Sequence, residues 1–294
     1  MNEREWGLCL LCCALPGDRP LTPAQYRTLQ SRVCQKGIPP VGEVSVDFLQ
    51  TLGYDLEEAG RICALLQREE RLHSYLEAGE RLGIRLLTRL SPYYPRQLHR
   101  KLGVYAPAVF FYAGNPALLE TLGVGLVGSR KLLPPGVAFA ERVGALAAKE
   151  GLTLVSGNAV GADRVAQDAC LQKGGCVISF LADELSQHLQ EAGERHLLIS
   201  SQGWDLPFSM ARALQRNHYI HAFGEKTFVA QSDAQSGGTW DGTVKNLRDG
   251  YSHVFVHADG SLASKLLMDR GATPIALDAL TSISAQESDQ QSFL

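Results

Sequence analysis

Val124-Gly-Leu-Val-Gly-Ser-Arg-Lys131 and, one helix later, Thr153-Leu-Val-Ser-Gly-Asn-Ala-Val-Gly-Ala-Asp163 carry one design twice. Each opens on an apolar run of strand length (Val124–Val127, Thr153–Val155), passes through a glycine-containing loop, and enters an amphipathic stretch with helical spacing. The first helix is expected to start near Pro135 and run over 136–149; the second covers 162–173. Strands alternating with helices imply βαβ units and a parallel sheet.

The pattern continues outward from these two units. Strand-length apolar runs precede them at Val109–Tyr112 and follow at Val177–Leu181, Leu197–Ser200, Thr227–Ala230, Val254–Val256 and Pro274–Leu277. Helical stretches at 207–222, 241–250 and 261–270 lie between most of the later runs. The expected fold class is therefore α/β, a Rossmann-like parallel sheet with helices on both faces. Ligands of such sheets bind outside the carboxyl ends of the strands, so the loops after each strand are where function is expected.

Before this region the chain reads differently. Residues 1–83 form a helical module with no strand-like run; Leu56, Ala59, Cys63 and Leu66 share one helical face, and Pro16-Gly17, Pro39-Pro40 and Gly53 punctuate it. The Rossmann-like part is expected over 84–280, with 84–103 as a basic lead-in. Across 81–101, Arg81, Arg85, Arg89, Arg96, Arg100 and Lys101 occur with no acid among them and with Tyr93 and Tyr94 in their midst. Such a stretch suits a nucleic-acid backbone and its bases, or a solvated linker face. Residues 281–294 are polar, rich in Ser and Gln, and expected to be disordered.

The bulk properties exclude several classes. A net charge of −3 gives no global basic field, so any polyanion site must be local. The apolar run Trp6–Leu15 is too short to span a bilayer, and the opening Met-Asn-Glu-Arg-Glu lacks the positive start of a secretory signal. The seven cysteines are odd in number and scattered; Cys9, Cys12 and Cys13 have no second pair to complete a zinc site. Reduced thiols and a cytoplasmic location are the expectation.

Three loops could carry chemistry. Gly128-Ser129-Arg130-Lys131 follows a strand and precedes a helix, so free backbone amides, a hydroxyl and two cations are expected to form an anion site. Gly123, Gly125 and Gly128 match the letters of a dinucleotide fingerprint, but the match begins inside the strand. No acid ends the second strand to hold a ribose, so that fingerprint is rejected. In the second loop, Ser156 to Asp163, Gly157 and Gly161 allow unusual backbone conformations and Asp163 is expected to cap the following helix. In the third, Gly237-Gly238-Thr239 lets a ligand approach the backbone, and Trp240 suits either a base or the core. Arg212 and Arg216 stand at i, i+4 and so share a helical face suited to phosphate or base planes, beside Asn217. The pairs His218/His221 and His253/His257 have no carboxylate or cysteine at metal-ligand spacing, and no triad context surrounds any serine. Neither a cofactor nor a metal is expected.

At these residues the chain resembles the DNA-processing protein A family (DprA, also called Smf). Val127-Gly128-Ser129-Arg130 is similar to its V-G-S-R motif, and Ser156-Gly157-Asn158-Ala159-Val160-Gly161-Ala162-Asp163 to its S-G-x-A-x-G-x-D loop. Arg216-Asn217 with Ile220 resembles R-N-x-x-I, and Ser91-Pro92-Tyr93-Tyr94-Pro95 the stretch leading into the Rossmann part. The resemblance implies a non-enzymatic protein that binds single-stranded DNA, dimerises, and hands the DNA to the recombinase RecA in natural transformation. It implies backbone contacts from Arg130 and Arg216, with Ser129, Gly157 and Asn217 shaping the site. The chain departs from the family at Gln231, where an acid is usual, at Gln167, where a histidine is usual, and at Trp240-Asp241-Gly242 in the third loop. The related lonely-guy hydrolases carry P-G-G-x-G-T-x-x-E. Here Gly237-Gly238 lacks the proline and the glutamate, which leaves a sensor or carrier of a free nucleotide as the alternative to single-strand binding.

Overall fold

The computed structural model describes residues 1–36 and 44–287. Pro39-Pro40, expected to punctuate the helical segment, and the end of the polar tail lie outside the described residues.

Among the described residues five helices build the N-terminal part: α1 (Glu3–Cys12), α2 (Pro23–Lys36), α3 (Val46–Thr51), α4 (Leu56–Leu66) and α5 (Glu69–Arg81). Their starts have local causes. Asn2 and Glu5 form a reciprocal capping box on α1, and Ser45 and Asp55 accept the first free amides of α3 and α4. The basic lead-in is not a linker. It contains a strand, β1 (Arg85–Thr88), and a helix, α6 (Arg96–Leu102).

The rest alternates as expected: β2 (Val109–Ala113), β3 (Gly123–Val127), α7 (Pro134–Lys149), β4 (Thr153–Ser156), α8 (Ala162–Gln172), β5 (Cys176–Phe180) and β6 (His196–Ser200). Then come α9 (Met210–Phe223), β7 (Lys226–Val229), α10 (Gly237–Asp249), β8 (His253–His257), α11 (Leu262–Met268) and β9 (Thr273–Ile275). The nine strands form one sheet in the order β1-β2-β6-β5-β4-β3-β7-β8-β9. Seven strands, from β6 to β9, run parallel, while β1 and β2 add antiparallel at one edge. After β3 the chain winds one way through β4, β5 and β6, then crosses back to β7 on β3's other side. The order therefore reverses between β3 and β7, the position where open α/β sheets bind ligands.

Alternation along each strand feeds two faces. Val127, Val155, Ile178, Ile199 and Val229 pack with Tyr219, Ile220 and Phe223 of α9, Leu98 of α6, Trp240 of α10 and Leu267 of α11. On the other face Leu126, Leu154, Val177 and Phe228 meet Phe139 and Val143 of α7 and Ala166 and Cys170 of α8. Toward the antiparallel edge that face is covered by the N-terminal helices, whose Leu8, Leu49, Ile62 and Leu72 pack with Val109, Phe111 and Leu198. The N-terminal helices are thus part of the sheet's cover.

The expectation of a disordered tail from residue 281 fails at its start. Ile283 is buried with Phe139 and Phe255, and the Glu150 carboxylate accepts the amides of Ile283 and Ser284, each at 2.8 Å. Lys226 Nζ donates to the carbonyls of both residues at 2.9 Å. The seven cysteines are all free thiols, and burial pushes those of Cys9 and Cys12 up to about 12. Among the described residues no helix is long and apolar enough to cross a membrane.

Candidate functional site

A cleft of about 420 Å³ opens at the carboxyl ends of β3 and β7, where the strand order reverses. Gly128, Ser129, Arg130 and Lys131 form one wall, Gly237, Gly238 and Thr239 the opposite one, and α9 contributes Met210, Arg216 and Asn217. Residues from the first loop, the third loop and the Arg-Asn segment therefore meet in one place. Ser156, Gly157, Gly161 and Arg212 are not part of this lining.

The first loop is not the amide cradle expected from its position. The Ser129 amide donates to the Gln231 carbonyl at 2.8 Å, and the Lys131 amide to the Ser129 hydroxyl at 3.1 Å. The Leu133 amide donates to Gln231 Oε1 at 2.8 Å. Helix α7 then begins Pro134-Pro135, two residues without an N–H. What the loop offers is side-chain charge. Arg130 and Lys131 are exposed, and neither has a carboxylate within ion-pair distance among the described residues. The helix end that does open on the cleft is that of α10. Its cap residue Ser236 makes no side-chain cap bond, and Asn217 Nδ2 donates to the Gly238 carbonyl at 2.8 Å, tying the helix start to α9.

Arg216 is committed rather than free. It is 9% exposed; its Nη1 stands 3.2 Å from Asp163 Oδ2 and 3.4 Å from the Phe180 carbonyl. Asp163 does not cap α8 but sits in its first turn. It accepts the Ala159 amide at 3.2 Å, so it organises the second loop from inside. Burial lifts the Asp163 carboxyl above its ordinary value, opposed by Arg216 and the loop amides. The Arg216 guanidinium lies across Gly157; a Cβ there would fall 0.8 Å from Nη1. Gly161 has φ +96°, and a Cβ on it would meet the Ser129 carbonyl at 2.5 Å and Arg130 Cα at 2.6 Å. These glycines let the first and second loops and Arg216 occupy adjoining space. Because Arg216 and Asp163 offset each other, the exposed charges left on the lining are the cations Arg130 and Lys131 and the single carboxylate of Asp233.

Other expected residues have structural roles. Ser156 is buried and bonded to Gln167, which also donates to Ser179 at 2.9 Å. Arg212 is 6% exposed and spends its guanidinium on the carbonyls of Leu206, Pro207 and Asp183 and on the Ser200 hydroxyl. Trp240 is a core anchor, covered by Arg270 at 5.1 Å. His221 bonds to Asn246 and His257 stacks on Phe139. In the basic lead-in, Tyr94 is buried against Phe110 with its hydroxyl on the Pro107 carbonyl. Arg100 and Lys101 meet Glu225, at the amino end of β7, the sheet edge opposite the cleft.

Two features were missed. Asn158, at φ +60°, donates to Glu191 Oε2 at 3.2 Å, and Arg164 grips the same carboxylate at 2.8 and 3.2 Å. His188 joins Glu191 to Asp183, at 3.2 Å from each, so this cluster braces the second loop. Phe208 stands exposed beside the cleft-rim residue Arg130, whose guanidinium lies 5.2 Å from its ring centre. The helix expected over 207–222 hid it: Ser209 caps α9, which starts at Met210, and leaves Phe208 outside the helix.

A doubly wound, mostly parallel sheet with a cationic-rimmed cleft at its switch point defines a Rossmann-like α/β protein. The chain belongs to the DNA recombination-mediator protein A family, whose model matches residues 85–273, more than half of its length. It is 31% identical over 140 residues to DNA processing protein DprA of Streptococcus pneumoniae, covering 45% of this chain and 49% of that protein. It is 32% identical over 175 residues to protein Smf of a Synechocystis species, covering 55% and 44%. The chain thus spans about half the length of the curated relatives it matches. Among solved structures, that of the S. pneumoniae protein superposes with a TM-score of 0.69 at 22% identity, over 91% of this chain and 99% of that one. A Helicobacter pylori DprA, in a structure concerned with its single-stranded DNA binding mode, gives 0.55 at 22% identity, over 65% and 90%. At these identities the two superpositions establish the shared fold.

Proposed function

We propose that this protein binds single-stranded DNA without catalysis, gripping the strand through the switch-point cleft. One observation carries the reading: Arg130 and Lys131 stand exposed on the cleft rim with no carboxylate within ion-pair distance among the described residues, on a chain whose net charge is −3. A local pair of uncompensated cations suits a polyanion. The single-stranded DNA binding of the H. pylori relative supports it. The family's description as a recombination mediator supports a place in recombination or DNA uptake. A homodimer and transfer to RecA follow from the family resemblance alone. The state of one cleft acid supports the non-catalytic part: Asp163 is held by Arg216 and the Ala159 amide.

The cleft's size favours a second reading, a free nucleotide as ligand, because about 420 Å³ falls in the range of small-molecule sites. Titrating the protein into labelled oligo-dT and, separately, into labelled thymidine monophosphate separates the two. The single-strand reading expects tight oligonucleotide binding and weak mononucleotide binding. Mononucleotide binding with no oligonucleotide binding overturns it.

A further inference from the structure

We propose that Phe208 is a base-stacking platform at the mouth of the cleft and that Arg212 is the residue that positions it. The proposal rests on the single-strand reading above and adds the part of the strand other than its phosphates. Phe208 is 45% exposed, although a phenylalanine gains most when it is buried. Beside it Met210, 61% exposed, turns the start of α9 toward the same opening. Arg130 lies 5.2 Å from the Phe208 ring centre, so the aromatic face and the free cation form one unit.

The backbone that carries Phe208 is held in place. Arg212 Nη1 donates to the carbonyls of Leu206 and Pro207, the two residues before it. Its Nη2 donates to the Asp183 carbonyl and the Ser200 hydroxyl, each at 3.1 Å, which anchors that grip to the sheet's carboxyl edge. On the other side of Phe208, the Ser209 hydroxyl accepts the Arg212 amide at 3.2 Å. A buried arginine thus fixes the residues flanking an exposed ring. Such a ring loses little freedom on binding, which is what a stacking surface requires. A nucleotide presents a flat π-face joined to a phosphate; with the base on Phe208, the phosphate falls to Arg130 and Lys131. Stacking of this kind is tolerant of sequence because every base has a π-face.

The test uses the full chain and an oligo-dT strand with one central 2-aminopurine, whose fluorescence falls when it stacks. Wild type is expected to quench it on binding. Phe208→Ala is expected to weaken binding about tenfold and to abolish the quench, leaving the salt dependence unchanged because no charge is lost. Phe208→Tyr is expected to restore both. Arg212→Lys, which cannot fork to several carbonyls at once, is expected to reduce the quench without altering the salt dependence, its fold being checked by circular dichroism. Wild-type affinity and quench in Phe208→Ala overturn the proposal while the single-strand reading stands. Absence of any oligonucleotide binding by wild type overturns both.

Discussion

Arg216 and Asp163 form an ion pair within the cleft wall: Nη1 lies 3.2 Å from Oδ2, and both side chains are largely buried. Sequence similarity pairs Arg216 with Arg130 as equal contacts to a phosphate backbone, but the two arginines have different surroundings. Arg130 is exposed and has no acid partner among the described residues, whereas Arg216 holds a buried carboxylate and lies across Gly157.

This difference is measurable as stability. Arg216→Ala leaves Asp163 buried without its cation and is expected to cost about 3–5 kcal/mol. Arg130→Ala, at the surface, is expected to stay within about 0.5 kcal/mol of wild type. Urea melts of the two variants check this, and equal losses would contradict it.

Gly161→Ala tests the contact between the loops. At φ +96° a side chain is strained, and its Cβ would press on the Ser129 and Arg130 backbone. The expected cost is about 1–3 kcal/mol. Since the displaced loop carries Arg130, oligonucleotide affinity is expected to fall although no charge is removed. An unchanged melt with unchanged affinity would show that the loops do not meet as described.

The His188 cluster predicts a pH dependence. The bond to Asp183 raises the His188 pKa above 6.5, outweighing burial, with Glu191 adding to the rise. A histidine raised in the folded state stabilises fully below its unfolded pKa, and that contribution disappears as pH rises through the folded value. The stability advantage of wild type over His188→Gln is therefore expected to be largest near about pH 5.5 and to shrink at alkaline pH. Urea melts across that range check it; a constant difference would mean that folding leaves the His188 pKa unchanged and that its carboxylate partners do not favour the charged ring.

Much of the sheet was legible because each parallel strand is a short, buried apolar run ended by a loop signal. β1 was not, because Arg85-Leu86-Leu87-Thr88 sits in a basic stretch, and its pairing with Val109–Tyr112 makes it a strand. The meeting of the three loops was readable from their position after strands. Their chemistry was less so. The amides of Ser129 and Leu133 are taken by Gln231, about a hundred residues away, which no local pattern shows, although Pro134-Pro135 already announced a helix start without N–H groups. The i, i+4 spacing of Arg212 and Arg216 suggested one shared role, whereas their guanidinium groups go to different partners, loop carbonyls for one and Asp163 for the other.

Arg130 and Lys131 are proposed to meet the phosphates of a single strand. The most direct test is the salt dependence of oligo-dT affinity in wild type and in the Arg130→Ala, Lys131→Ala double variant. Each lost phosphate contact is expected to reduce the slope of log K against log salt by about 0.7, so the double variant falls below wild type by about twice that. The same slope in both proteins, whatever their affinities, would contradict the claim.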